Sequence, residues 1–348
     1  MVAAGSSPVS FMDFCPSLWH HVAALRFREE LMARHPKHRF TLFLMVFAVT
    51  TFIVAVIGLI NRQEPFYSWF YCFAWWSYIV FTQALLHCRR GRALLFDAPR
   101  EFFLLLPLSL TIWLIFEVFN FRLQNWHYLN VPSPLAIRWF GYVLAFSTVL
   151  PGIFTTLHFL DHIGVLKHTA AITLPHPGVL CRAFPALGWA CLILPLAWPQ
   201  YFFPLIWVAF IFLLEPVNLR LGAPSLLCDR NSHSGQPFYS LLIAGACCGF
   251  LWELWNYWAG AKWIYTIPCL DWLKIFEMPL LGFLGFPPFA VQCFVMITCF
   301  QALRAKFPRT AKPGSVSLGS AFLIISLLLF YCAVFFGIDH LTVLSFRP

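Results

Sequence analysis

Long apolar runs leave this chain the fewest folding choices. Stretches of roughly 20 residues with almost no charge recur along it, and about 20 residues of helix cross the hydrocarbon core of a bilayer. Lipid offers no hydrogen bonds, so a run of this kind must satisfy its own backbone, which a helix does. Composition agrees. The 348 residues are 60% hydrophobic and 11% charged, against about 25% charged in soluble domains. A soluble chain of this size could not hide so much apolar surface. The 40 Phe and 15 Trp point to an aromatic-lined interior or to broad interfacial belts.

The pattern predicts an all-α polytopic membrane protein with nine transmembrane helices, approximately residues 40–60, 67–88, 101–121, 137–158, 183–199, 201–218, 237–258, 275–303 and 316–336. Residues 17–34 read as an amphipathic helix lying on the membrane surface, without the order of a signal peptide. With the N-terminus inside, 17 of the 23 Lys and Arg fall on inside segments and 6 on outside ones. That asymmetry follows the positive-inside rule, with the N-terminus cytoplasmic and the C-terminus outside. The location expected is a bacterial inner (plasma) membrane. The formal net charge of +9 is explained the same way, so nucleic acid is not expected as a partner. The 12 cysteines form no CxxC, and most lie within apolar runs, where they act as small hydrophobes.

The chain also contains an echo of itself. "IFEVFNFRLQNWHYLNVP" (residues 115–132) aligns with "LWELWNYWAGAKWIYTIP" (residues 251–268). Both read E-x-x-N, then W-x-Y, then P. Glu117 matches Glu253, Asn120 matches Asn256, and Trp126 and Tyr128 match Trp263 and Tyr265. Upstream, "GRALLFD" parallels "GAPSLLCD". Downstream, Pro151-Gly152 falls opposite Pro287-Pro288. These matches predict two four-helix repeats, 40–158 and 183–303. A cytoplasmic segment (1–39) precedes them, a cytoplasmic linker (159–182) joins them, and a further helix with a short outer tail (304–348) follows. An even helix count makes the repeats parallel.

The repeat creates a candidate site. Glu117 and Glu253 lie near the outer ends of their helices, and Glu277 lies at the expected outer start of the eighth. Carboxylates inside a membrane are costly and mark function by default. Asn120 and Asn256, at i+3, share a helix face with the glutamates. Prolines at matching positions of the fourth and eighth helices predict interruptions beside a central site. The second repeat keeps Glu277 where the first has Gly141, which favours the second repeat as the seat of chemistry. Glu253, Glu277 and Glu117 are therefore the candidate acids and bases. Asn256, Asn120, Trp252, Trp255, Trp263, Tyr265, Trp126 and Tyr128 are the candidate substrate-binding residues. The competing reading makes the glutamates acceptors for Trp, Tyr or backbone donors across the repeat interface, and the W-x-Y pairs interfacial belts.

Other motifs carry less. His158 and His162, spaced i, i+4, could share a metal, but no HExxH accompanies them. Glu215-Pro216 reads as a second polar site or a kink. His233 has no evident oriented base. No P-loop, GxGxxG or GxSxG is present, and no motif names a cofactor.

The order carboxylate, W-x-aromatic, Pro, then a polar helix rich in Pro and Gly resembles the polytopic carotenoid-biosynthesis proteins. These are the heterodimeric and fungal-type lycopene cyclases and the carotenoid hydratases. The resemblance covers 253–288 and, more faintly, 117–151. Where those cyclases carry a Pro-x-Glu-Glu pair, this chain has Glu277 alone, in "FEMP". The resemblance implies an isoprenoid or lipid substrate and acid catalysis at a double bond.

Three functions remain open on the sequence. The first is a membrane enzyme acting on a hydrophobic small molecule, with membrane lipid as its surroundings. The second is a proton- or cation-coupled transporter with a path between the repeats. The third is a structural subunit bound to another membrane protein.

Overall fold

Eight helical segments among the described residues are long and apolar enough to cross a membrane: Arg39–Ile60, Pro99–Leu123, Leu135–Ile163, Gly178–Ala197, Pro199–Leu221, Gln236–Trp258, Leu280–Lys306 and Gly319–Leu341. The structure, a computed structural model, describes residues 37–167, 169, 177–226, 235–268, 273–306 and 318–346. The expected surface helix over 17–34, together with His168, His176 and His233, lies outside them. The protein is a helical integral membrane protein.

The helices are α1 (Lys37–Ile60), α2 (Phe70–Arg90), the short α3 (Leu94–Asp97), α4 (Pro99–Leu123), α5 (Leu135–Phe146) and α6 (Val149–Ile163). After these come α7 (Pro177–Ala197), the short α8 (Pro199–Phe202), α9 (Ala209–Leu221), α10 (Gln236–Trp258), α11 (Phe286–Lys306) and α12 (Leu318–Leu341). The expected second span is α2. It carries Ser77, Thr82, Gln83, His87, Arg89 and Arg90, so it is more polar than the eight, and more than half of its residues are buried.

Helix α1 packs on α2, α2 on α6, and α4 on α6, while α7 packs on α9, α9 on α11, and α10 on α11. Helix α10 joins the two groups through α6 and α2. Trp75 meets the rings of Trp252 and Trp255 at 6.0 and 4.8 Å there. Thr156 hydrogen-bonds both Tyr78 (2.8 Å) and Cys248 (3.2 Å). Gly249 permits the close approach of α10 and α11, since a Cβ there would sit 2.2 Å from the Phe286 ring.

Two long spans are broken, and each break is closed by a side chain from another helix. The fourth expected helix divides at Ser147-Thr148 rather than at Pro151-Gly152. The correction follows from proline geometry: the Pro151 ring crowds the carbonyl four residues earlier, at Ser147. In a continuous helix the Leu150 N–H would bond the Phe146 carbonyl. Ser109 of α4 inserts between them, accepting from Leu150 N (3.1 Å) and donating to Phe146 O (2.7 Å). Gln292 of α11 does the same for the break at Val208. Its Oε1 accepts from Phe210 N (2.8 Å), and its Nε2 donates to Ile206 O (3.2 Å).

The all-α expectation is incomplete at the C-terminal ends of α4 and α10. The two W-x-Y segments form strands β1 (Trp126–Leu129) and β2 (Lys262–Tyr265), paired antiparallel with Trp126 opposite Tyr265 and Tyr128 opposite Trp263. Tyr128 N also donates to Thr342 O at 2.9 Å, which docks the end of α12 onto β1. The eighth expected helix, 275–303, starts late. Lys274–Ile275 (β3) and Met278–Pro279 (β4) form a small hairpin, a 3-10 turn covers Leu280–Gly285, and helix begins at Phe286. Pro287 and Pro288 sit in the first turn of α11, where their missing N–H groups cost nothing, and so do not interrupt it.

Candidate functional site

The site is built where α4 and α10 run into the ribbon. Each helix ends in an asparagine that caps the strand following it. Asn120 donates from Nδ2 to Trp126 O (2.8 Å), and its Oδ1 accepts from the N–H groups of Asn125 (2.8 Å) and Trp126 (3.3 Å). Asn256 donates from Nδ2 to Trp263 O (2.8 Å), and its Oδ1 accepts from Trp263 N (2.9 Å). Both asparagines are fully buried. The amides therefore fix each W-x-Y segment over its own helix end, one turn beyond the glutamate.

The glutamates receive the tyrosines so placed. Glu117 Oε1 accepts from the Tyr128 hydroxyl (2.5 Å), Trp126 Nε1 (3.0 Å) and Trp113 Nε1 (2.8 Å). Glu253 Oε1 accepts from the Tyr265 hydroxyl (2.7 Å), and that hydroxyl accepts in turn from Trp263 Nε1 (2.8 Å). Both carboxyls have no exposed surface, and in each the second oxygen, Oε2, is buried without a partner among the described residues. Burial, and then the neighbouring glutamate, push the Tyr128 and Tyr265 hydroxyls well above the ordinary tyrosine range. Both phenols are thus held as neutral donors.

Between α2, α4, α5, α10 and the ribbon lies a cavity of about 70 Å³. Trp69, Tyr71, Trp113, Phe146, Trp252 and Trp263 supply most of its aromatic wall, and Tyr128 and Tyr142 complete it. The carboxyls stand one layer behind. Trp113 and Tyr128 each both line the cavity and donate to Glu117, and Trp263 reaches Glu253 through Tyr265. Tyr71, also in the wall, lies near enough to Glu253 for their charges to interact.

Of the residues singled out from the sequence, Glu117, Asn120, Trp126 and Tyr128 form one network, and Glu253, Asn256, Trp263 and Tyr265 form another. Trp252 lies between them against Trp113 (5.5 Å) and Phe289 (6.1 Å). Trp255 packs away from the cavity against Trp75 and Tyr78 (5.9 Å). Glu277 stands apart, in the turn of the β3–β4 hairpin, and pairs with Lys262 at 2.5 Å. It lies within electrostatic range of Glu253. The cavity draws on Tyr128, Arg138 and Tyr142 as much as on the second half of the chain, which the expected bias toward Glu277 did not anticipate.

His162 is engaged otherwise: Arg90 donates from Nε to His162 Nδ1 (2.9 Å) and from Nη2 to Asp161 O (2.7 Å). Among the described residues no group of three or more His, Cys, Asp or Glu is arranged to hold a metal ion. Glu215 is fully buried and accepts from Ser225 Oγ (2.8 Å) and Leu226 N (2.6 Å), closing the turn after α9.

Three contributors escaped the sequence reading. Trp113 precedes Glu117 by four residues, so the i, i+4 rule would have found it. Tyr71 carried no signal. Asp339 is the one acid in the last apolar run, where the rule for intramembrane carboxylates applies. It accepts from Arg138 Nε and Nη2 (both 2.8 Å), Trp139 Nε1 (2.9 Å) and Tyr142 OH (2.9 Å). It thereby holds two cavity-wall residues, Arg138 and Tyr142. No protein-family model matches the chain, and no curated protein or solved structure matches it either.

Proposed function

We propose that this protein is an integral membrane enzyme that acts on a lipid or isoprenoid by carboxylate acid/base chemistry. The observation that carries the reading is the aromatic cavity whose wall is hydrogen-bonded, through Trp113, Tyr128 and Trp263, to two fully buried carboxyls. Glu253 and Glu117 supply or accept the proton through the hydroxyls that separate them from the cavity, Glu117 by way of Tyr128 and Glu253 by way of Tyr265. Protonation of a substrate double bond forms a C–H bond and leaves a carbocation. Indole faces stabilise such a cation. Loss of a neighbouring proton back to the carboxylate gives an isomer or a ring and restores the acid, so no co-reactant is consumed. The resemblance of the 253–288 region to the polytopic carotenoid-biosynthesis proteins supports an isoprenoid substrate.

The finer architecture goes with this reading. Nine spans result when α2 crosses as well; its 21 residues reach about 31 Å at 1.5 Å per residue. Its Ser77, Thr82 and Gln83 side chains are buried among neighbouring helices, and Arg89 and Arg90 lie exposed at its end. Two parallel four-helix repeats account for the matched Glu–Asn–Trp–Tyr networks and for the shared order of helix contacts. Parallel repeats also explain why α4 and α10 both end at one ribbon. Strand partners that exchange Trp for Tyr (126 with 265, 128 with 263) are what a two-fold axis through the ribbon requires. The N-terminus then faces the cytoplasm of a bacterial inner membrane, and the ribbon faces outward.

Comparison of lipid extracts from cells carrying the wild-type chain, Glu253→Gln, Glu117→Gln and an empty vector tests the reading. A wild-type-specific apolar product that falls at least tenfold in a correctly folded Glu253→Gln protein is expected. Unchanged product levels in both folded variants would sink the proposal.

A further inference from the structure

We infer that the end of the helix bundle opposite the ribbon binds an anionic glycerophospholipid, with Arg39, Arg89, Arg92 and Arg100 around its phosphate and its acyl chains on exposed phenyl rings of α1 and α4. The inference rests neither on the cavity nor on the chemistry proposed for it.

The short helix α3 brings the four arginines to one place. It folds back beside the last turns of α2, where Leu95 N donates to Gln83 Oε1 (3.2 Å) and the Phe96 ring stacks on His87 at 4.5 Å. Helix α2 ends at Gly91, whose φ of 66° turns the chain back. Arg89 and Arg92 therefore flank one tight turn. Arg100 follows in the first turn of α4. Arg39 arrives from α1, whose next residue, Phe40, meets the Phe96 ring edge to face at 6.4 Å.

The acids nearby are already engaged. Asp97 accepts from Ala93 N (2.6 Å) and faces His87. Glu101 gives both carboxylate oxygens to Arg304 (2.7 and 3.0 Å). Asp161 stands beside Arg90, which its carbonyl binds. Among the described residues no acid pairs with Arg39, Arg89, Arg92 or Arg100, and all four are exposed. Arginines so placed at a bilayer surface attract anionic headgroups, and the guanidinium fork matches phosphate oxygens. A zwitterionic headgroup brings its own cation into the patch and gains less.

The surface just below the arginines is apolar, which selects a lipid over a soluble anion. Arg39, Phe43 and Phe47 are spaced i, i+4, i+8 and so form one row on α1. Both rings are exposed, and they stack on each other at 6.2 Å. The row runs about 12 Å along the helix at 1.5 Å per residue. Arg100 and the exposed Phe103 repeat the pattern at i, i+3 on α4. A phospholipid uses both the cations and the rings. The second half of the chain lacks this equipment: Gly222 ends α9 as Gly91 ends α2, but Ala223 follows it where Arg92 follows Gly91.

Phosphatidylglycerol and phosphatidylcholine carrying the same fluorescent acyl chain test this by anisotropy, titrated with the purified full chain in a non-ionic detergent. One arginine near an anionic surface contributes roughly fivefold to binding. The wild-type chain should therefore prefer phosphatidylglycerol by at least about 25-fold, and Arg89→Gln/Arg92→Gln should cut the preference by roughly that factor. Arg39→Gln/Arg100→Gln should do the same without touching the turn at Gly91. Arg62→Gln/Arg122→Gln removes equal charge from exposed positions just past α1 and in the last turn of α4, and should leave the preference within about twofold. An equal loss in that control would trace the preference to net charge and overturn the inference. Displacement of the lipid by millimolar inorganic phosphate would overturn it as well, by marking a site for a soluble anion. So would tighter lipid binding in Glu29→Gln/Glu30→Gln, which would show the arginines serving the chain's own N-terminal acids.

Discussion

Removing the Asp339 carboxylate should be among the most damaging single changes outside the carboxyl networks. The side chains of Arg138 and Asp339 are 8% and 6% exposed, which takes the pair out of the regime where surface ion pairs contribute up to about 1 kcal/mol. Asp339→Ala leaves a buried guanidinium without its carboxylate. It also strands the Trp139 N–H and the Tyr142 hydroxyl. Breaking a buried pair from one side costs about 3–5 kcal/mol. Arg138→Leu should cost less, because Trp139 and Tyr142 still donate to the carboxylate. The double variant Arg138→Leu/Asp339→Leu should be milder than the sum of the singles by about 1.5–3 kcal/mol, since neither charge is then left alone. Unfolding in mixed micelles of rising SDS fraction, followed by tryptophan emission, gives the three differences. Asp339→Ala within about 1 kcal/mol of wild type would place this pair in the surface regime and refute the account. Additive single variants would refute the coupling.

Three further outcomes follow from local geometry. Gly152→Ala brings a Cβ to 2.6 Å from Trp75 Cζ3; the overpacking should cost about 1–3 kcal/mol, seen in the same SDS titration. Asn256→Ala strands both backbone groups of Trp263 that its amide holds and should cost about 2–4 kcal/mol at roughly 1–2 per bond, with a change in near-UV circular dichroism from the displaced indole. The raised Tyr128 and Tyr265 hydroxyls mean that above about pH 10 the unfolded chain loses protons the folded one keeps. Their stabilisation is complete below that pH and declines as pH climbs toward the folded values, so the melting temperature should drop above about pH 10. Tyr128→Phe and Tyr265→Phe should each flatten that drop.

What was legible in the sequence was whatever one helix face or one short segment carries. Glu117 with Asn120, and Glu253 with Asn256, stand out because polar side chains three apart in an apolar helix share a face and need partners. The W-x-Y segments stand out because they recur beyond them at distances that differ by one residue, six after Asn120 and seven after Asn256. Their pairing does not. Strands of four residues have too little period to announce themselves, and the partner of β1 comes 136 residues later. The break at Ser147-Thr148 was misplaced because its position depends on the carbonyl that Pro151 crowds and on Ser109 from another helix. The start of α11 was misplaced because residues 275–285 are apolar enough to pass for helix, yet their backbone turns through a hairpin first. The cavity is legible in no single segment. It exists because Gly141 and Ala145 leave space that aromatic rings from four other elements surround.

The two carboxyl networks are alike in design and unequal in tightness, and the inequality assigns them different work. Glu117 Oε1 takes three donors, and one of these, Trp113, stands one helical turn before it. The residue one turn before Glu253 is Gly249, and the Phe286 ring fills the space where an indole would lie. Glu253 Oε1 accepts one hydrogen bond, from the Tyr265 hydroxyl, with the Trp263 indole standing beside it. An oxygen held by three donors is poorly placed to trade a proton, because every donor must be disturbed when its charge changes; an oxygen held by one is freer to do so. Glu117→Gln should therefore act chiefly on stability, costing about 2–4 kcal/mol as an amide oxygen replaces a carboxylate under three donors. Glu253→Gln should spare stability to within about 1.5 kcal/mol and act chiefly on product formation. SDS unfolding and product yield, measured on the same two preparations, separate the cases. Equal losses of stability in both variants would show that the missing indole does not set the difference, and that the two glutamates share one structural role.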